Sequence, residues 1–263
     1  MNIIKIDENY NRILGHEPAM KNSNIIFNGR NNVLICEKNV SLRNSNLKFH
    51  GNNSLIYLAP QRSGYFLNIS LFNNSVFFID EGVSMNGKLN LLLSEEKNII
   101  IGKDCLFSFG IWVRLADPHL IFDIENKERI NVSKSVYLGD HVWIGQDAML
   151  LKGTQIGSGS IVAAKSVVSN KKISSNSIWG GNPVKEIKKG IFFDKLTANN
   201  FTKKHTEKYM KSEDEKWIYS NEGEVLSFDE IDEKLASMTD IDDKIELIQS
   251  IRNNKSHNRF YIE

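Results

Sequence analysis

LGDHVWIGQDAMLLKGTQIGSGSIVAAKSVVS, residues 138–169, carries an aliphatic side chain at every sixth position: Leu138, Ile144, Leu150, Ile156, Val162 and Val168. The following residue is small at Gly139, Gly145, Gly157, Ala163 and Ser169, with Leu151 the exception. The residue four places on is small or β-branched: Val142, Ala148, Thr154, Ser160 and Ser166. A helix repeats at 3.6 residues and a strand at two, so neither gives a period of six. The period instead predicts an all-β solenoid, a parallel β-helix in which each hexapeptide forms one flat side of a coil. The aliphatic points inward and stacks on the coils above and below, and the small neighbour lets the chain turn the corner.

Upstream, the frame is first clean at Ile101-Gly102, Phe107-Ser108 and Val113-Arg114. It then breaks, and Leu115–Ser135 reads as a loop inserted into a regular scaffold, a common place for function. The repeat runs on to about Ile173, where Ile178-Trp179-Gly180-Gly181-Asn182-Pro183 stops it. Residues 1–98 hold short apolar runs such as Val33-Leu34-Ile35 and Ser75-Val76-Phe77-Phe78-Ile79 between Asn-rich turns, and read as irregular early coils of the same β-helix. Beyond Phe192 the composition shifts to Lys, Glu and Asp. Ile231, Leu235, Met238, Ile241, Ile245, Ile248 and Ile251 fall at helical spacing, and Asp229 and Glu230 suit a helix N-terminus. The expected division is therefore 1–98 early coils, 99–194 hexapeptide coils with the loop 115–135, and 195–263 a helical C-terminal extension.

The 263 residues include 33 Lys+Arg and 32 Asp+Glu, a net charge of +1 that gives no electrostatic reason to expect nucleic acid or an anionic membrane as partner. No apolar run approaches the ~20 residues needed to span a bilayer. Met1–Asn11 has no apolar core of a secretory leader and Asn2 excludes N-myristoylation, so a cytoplasmic location is expected. Cys36 and Cys105 form no disulfide or zinc pattern, and Cys105 sits at an inward position of a hexapeptide. No metal cluster, phosphate loop, dinucleotide fingerprint or Ser-His-Asp pattern is visible.

His119 lies in the inserted loop, within Arg114-Leu115-Ala116-Asp117-Pro118-His119. Imidazole is the side chain whose unperturbed pKa lies near neutrality, which suits it to act as a general base on a hydroxyl. Asp117 is near enough in sequence to orient or charge-balance the ring.

From Ile99 to about Gly190 the chain resembles the hexapeptide-repeat O-acetyltransferases, and within them most nearly the capsular polysaccharide and sialic acid O-acetyltransferases. The repeat carries this resemblance, with the histidine loop followed by Glu128-Arg129-Ile130-Asn131, the segment Leu138–Gly145 (similar to "IGDNVWIG") and Ile178–Lys185 (similar to "VVGGNPAK"). The resemblance implies a left-handed helix, a homotrimer with sites between subunits, and acetyl-CoA as co-substrate. His119 then corresponds to the general base, acting by direct transfer, with oxyanion donors supplied by coil backbone. Trp143 stands near acceptor and thioester arm, unless it fills a trimer interface; His141, where relatives have Asn, is expected to point outward without a catalytic role. Gly145, Ala163, Ala164, Lys165 and Ser166 match the segment along which CoA runs, although Lys165 replaces a typical Gly. Gly180, Gly181 and Asn182 match the turn near the adenine, with Lys185, Lys188 and Lys189 available to phosphates. Arg114 and Arg129 are expected on the acceptor side, where a guanidinium can grip a sugar carboxylate; for Arg129 a loop-stabilising ion pair is an equal reading. N-acetylation of a nucleotide-linked amino sugar and a non-catalytic binding solenoid are the alternatives.

Overall fold

The computed structural model describes residues 1–263 and is a parallel β-solenoid with a short helical C-terminal part. Its sides are three sheets of nine, seven and six strands, built by stacking coil on coil. The inward positions found by the six-residue period (Leu138, Ile144, Leu150, Ile156, Val162, Val168) are all fully buried in one continuous core. Lateral pairing is parallel throughout the body. An antiparallel strand closes each end: Ile3–Ile6 on Arg12–Gly15, and Lys185–Lys189 on Ser177–Gly180. Both ends thus present a strand that does not continue the stack.

The early coils have a regular period of their own, longer than three hexapeptides. Val33 lies over Leu55 and Phe77 over Ile99, 22 residues apart, whereas Leu138 lies over Ile156, 18 apart. Across the inserted loop, Ile99 lies over Val136. The longer coils turn on asparagines in the left-handed conformation: Asn22, Asn31, Asn44, Asn53 and Asn74 have φ between 47° and 55°. Asn tolerates this region better than most residues because its amide bonds locally.

The nine-stranded sheet is buried on both sides, which accounts for its unbroken apolar strands Val33–Cys36, Leu55–Leu58 and Val76–Ile79. Its outer side meets two helices. The C-terminal part contains α1 (Lys203–Lys208), which buries no residue, then α2 (Phe228–Ser237) and α3 (Ile241–Asn253), capped by Ser227 and Asp240. Phe228, Ile231 and Leu235 of α2 and Ile241, Ile245, Ile248 and Ile251 of α3 pack on Val33, Tyr57, Phe78 and Tyr137 of the sheet. Arg259 follows them into the interior. It is fully buried and holds two fully buried carboxylates, Asp140 at 2.7 Å and Asp80 at 2.6 Å. Arg252 adds Glu37 and Glu81. No helix is long and apolar enough to cross a membrane.

Candidate functional site

The inserted loop leaves the solenoid after the strand Trp112–Arg114, on the seven-stranded sheet, and returns before Val136–Leu138. Its outer part folds back as a short hairpin in which Ile130 donates to the Ile121 carbonyl and Asp123 to that of Glu128. One buried residue organises it. The Asn131 Nδ2 donates to the His119 carbonyl at 2.7 Å and to Asp117 Oδ2 at 3.3 Å. Its Oδ1 accepts from the Ile121 amide at 3.0 Å and from Arg129 Nε at 3.2 Å. His119 is therefore fixed through its backbone, while its imidazole lies exposed.

Asp117 does not serve the His119 ring. Lys152 Nζ, from the next coil, bonds its Oδ2 at 2.6 Å and also reaches the Asn131 carbonyl. The Lys152 ammonium holds the Asp117 carboxyl below its usual range, and the Asn131 amide adds to this. Arg129 takes the ion-pair role: its guanidinium meets Glu95 at 2.5 Å and ties the loop to the coil beneath. Arg114 differs. It enters no ion pair, and its Nε is buried without a partner. With Asp117, Pro118, Met149, Leu151 and Lys152 it lines a cleft of about 130 Å³ at the loop base. That volume is small for an acceptor sugar or a CoA arm.

The residues expected along the CoA arm gather on one corner of the prism. Ala164, Lys165, Gly181, Asn182, Lys185 and Lys188 are exposed there; Gly145 and Ser166 are buried beneath them. A Cβ on Gly145 would lie 2.5 Å from the Ala164 nitrogen, and Ser166 Oγ accepts from the Gly181 amide at 3.1 Å. These two residues therefore let coils stack. The amides of Gly145, Ala163 and Lys165 bond to Val162, Trp179 and Gln146 in neighbouring coils or turns, so these donors, with that of Gly181, are not free for an oxyanion. Lys165 sits at φ 59°, which explains why glycine suits this corner, and its Nζ lies 3.1 Å from Asp147.

Trp143 is half-exposed on the six-stranded sheet, a different side from the loop, and Phe193 leans on it at 5.8 Å. His141 is not outward. It is fully buried at a left-handed corner (φ 53°), sandwiched between Phe193 at 3.9 Å and Trp217 at 3.6 Å. Its Nε2 meets the Phe193 carbonyl, and burial pushes its pKa down to about 4. The C-terminal segment covers it, which local sequence gave no means to see.

Within one protomer the structure brings Asp117, Arg114 and the His119 backbone together at one margin of the seven-stranded sheet. The Ala164–Lys165–Gly181 corner lies at the other margin, and Trp143 beyond it. Sequence pattern does not single out Asn131 or Lys152. Asn131 ends the Glu128–Asn131 segment with no local sign of its bonds, and Lys152 has none because its partner lies 35 residues away.

Residues 135–170 match the bacterial transferase hexapeptide (six repeats) family. A polysialic acid O-acetyltransferase of Neisseria meningitidis is 31% identical over 125 residues, covering 48% of this chain and 58% of that protein. A polysialic acid O-acetyltransferase of Escherichia coli O1:K1 / APEC is 41% identical over 102 residues, covering 39% and 33%. The matches thus span about half and a third of these relatives' own length. Among solved structures, the polySia-specific acetyltransferase NeuO superposes with a TM-score of 0.63 at 28% identity, covering 73% of this chain and 90% of that one. The resemblance read from the repeat and its flanking motifs thus reappears in both sequence and structure.

Proposed function

We propose that this chain is an acetyl-CoA-dependent O-acetyltransferase acting on a sugar hydroxyl of a bacterial surface polysaccharide, with capsular sialic acid as acceptor. The observation that carries the reading is the joint likeness, in sequence and in structure, to polysialic acid O-acetyltransferases. The site is consistent with it. His119 takes the proton from the acceptor hydroxyl as that oxygen attacks the thioester carbonyl. The tetrahedral intermediate then expels the CoA thiolate, which receives the proton from the imidazolium. Products are the O-acetyl ester and free CoA. Both cysteines are buried and burial pushes their thiols up, Cys36 to about 12, which favours direct transfer over an acetyl-cysteine. Arg114, without a carboxylate partner, suits the carboxylate of an acidic sugar.

The exposed corner fits an extended donor arm: Ala164, Gly181 and Asn182 carry little bulk, and Lys165, Lys185 and Lys188 flank them with cations. Such a donor places the reaction in the cytoplasm. The small cleft at the loop base leaves a second copy to complete the acceptor site, and we assign a homotrimer. Leu120, Phe122, Ile124, Ile130 and Val132 of the loop support this, since all are more than half exposed and would otherwise leave a hairpin of bare apolar side chains in water.

Acetyl transfer to polysialic acid by wild type and His119→Ala tests the base. Loss of roughly 10²–10⁴ in kcat is expected, and a near-wild-type kcat would refute the assignment. Calorimetry with CoA separates the enzyme from a binding solenoid, and a light-scattering mass equal to one chain would contradict the trimer.

A further inference from the structure

The outer side of the seven-stranded sheet is a set of rows running along the solenoid axis toward the loop. Asn46, Asn68 and Asn90 stack in register, each on the next coil, and Trp112 continues the row. Beside them Lys48, Ser70 and Leu92 lead to Arg114. A third row is formed by residues just beyond the strands: His50 and Phe72 stack there, 5.1 Å apart and 19° from parallel. No carboxylate occurs in these rows before the loop. The helices α2 and α3 cover the nine-stranded sheet and leave this one open.

We infer that these rows are a track for a polymeric acidic acceptor, which lies along the solenoid axis with its reacting sugar at the Arg114–His119 end. The inference rests on the transferase reading above and specifies that its substrate is a chain, held at several sugars. Five features favour that occupant. The coils repeat at about 4.8 Å, so an extended chain lying along the axis meets an asparagine on each of three successive coils. The amides of Asn46, Asn68 and Asn90 can each donate and accept, which suits hydroxyl and acetamido groups. Lys48 adds a positive charge to the approach, and the Phe72 ring offers a flat face for the apolar side of a sugar. Asn68 donates to Asn90 at 3.2 Å, so the ladder is already ordered before a ligand arrives.

The test compares wild type with N46D/K48E/N68D, which keeps side-chain shapes in the ladder and reverses the charge. Long polysialic acid and a short oligosialic acid serve as acceptors, and affinity electrophoresis in gels containing the long polymer reads binding without turnover. The expected result is a rise in KM for the polymer of at least about tenfold, loss of retardation in the gel, and retained kcat and KM for acetyl-CoA. Lys48→Gln alone, a change at one half-buried side chain, should weaken retardation and its salt dependence. Wild-type KM and retardation in the triple variant, or no retardation of wild type itself, would overturn the track. If wild type binds polymer, the variant does not, and neither transfers acetyl groups, then the track stands and the transferase reading falls.

Discussion

Replacing Asn131 tests whether the loop is held for catalysis by one buried amide. Asn131→Ala deletes bonds to the His119 carbonyl, the Ile121 amide, Arg129 Nε and Asp117 Oδ2, at 2.7, 3.0, 3.2 and 3.3 Å. A typical hydrogen bond contributes a net 0.5–1.5 kcal/mol, and the two backbone groups are the best aligned, so the docked loop loses about 2–3 kcal/mol. That is roughly a 30- to 150-fold fall in the ratio of docked to undocked loop. The expected effect is a fall in kcat equal to the loss of docked fraction, with that factor as its upper limit. The solenoid core beneath, including Val113 and Leu150, is untouched, so Tm should move little. Asn131→Asp retains the acceptor for Ile121 and Arg129 but turns a carboxylate oxygen toward the His119 carbonyl and Asp117, and should lose at least as much as Ala. Steady-state kinetics and a thermal melt on the three proteins are the assay. If both variants turn over like wild type, the loop is held by other contacts and the reasoning is wrong.

Two further outcomes follow from buried charge. An unfolded histidine binds a proton near 6.5, but buried His141 does so only near 4, so stability is complete above about 6.5 and falls as pH drops toward 4, by up to about 3 kcal/mol. His141→Asn, which also suits the left-handed corner, should flatten that part of the Tm–pH profile, and superimposable profiles would refute the role. Arg259→Met leaves Asp80 and Asp140 buried without their shared guanidinium and should cost about 3–5 kcal/mol in urea unfolding; an unchanged midpoint would show that neither carboxylate depends on it.

The short-coil half of the fold was legible because its inward aliphatics recur at a fixed six residues with no covering element to blur them. The long-coil half was harder. Its period is 22 on the seven-stranded sheet and 21 or 22 on the nine-stranded one, and it shows only when Asn24, Asn46, Asn68 and Asn90 are aligned, with Trp112 next in the column. Its apolar strands also lack alternation, because α2 and α3 bury their outer side, a fact that sits two hundred residues away in sequence. The α2 and α3 stripes themselves were readable from the spacing of Ile and Leu. In the site, the break in the repeat exposed the loop and His119. The pairing of Asp117 with Lys152, the role of Asn131 and the burial of His141 arise from contacts between coils or with the C-terminal segment, and local pattern holds no trace of them.

The C-terminal segment also changes how such a structure must come together. Stacked coils ordinarily behave as a one-dimensional array in which each repeat depends on its neighbours and the ends fray first. Here Asp242 ties to Arg12 of an early coil, Lys244 to the Asn74 carbonyl, Arg252 to Glu37 and Glu81, and the Phe260–Ile262 backbone to Ser158 and Ser175 near the last coils. Residues of the C-terminal segment thus clasp coils far upstream of them. During synthesis the outer faces of Val33, Leu55 and Val76 emerge bare and remain so until α2 and α3 have followed them. The folded protein gains a single cooperative unit from this arrangement, and the nascent one carries an exposed apolar sheet until its covering helices are made.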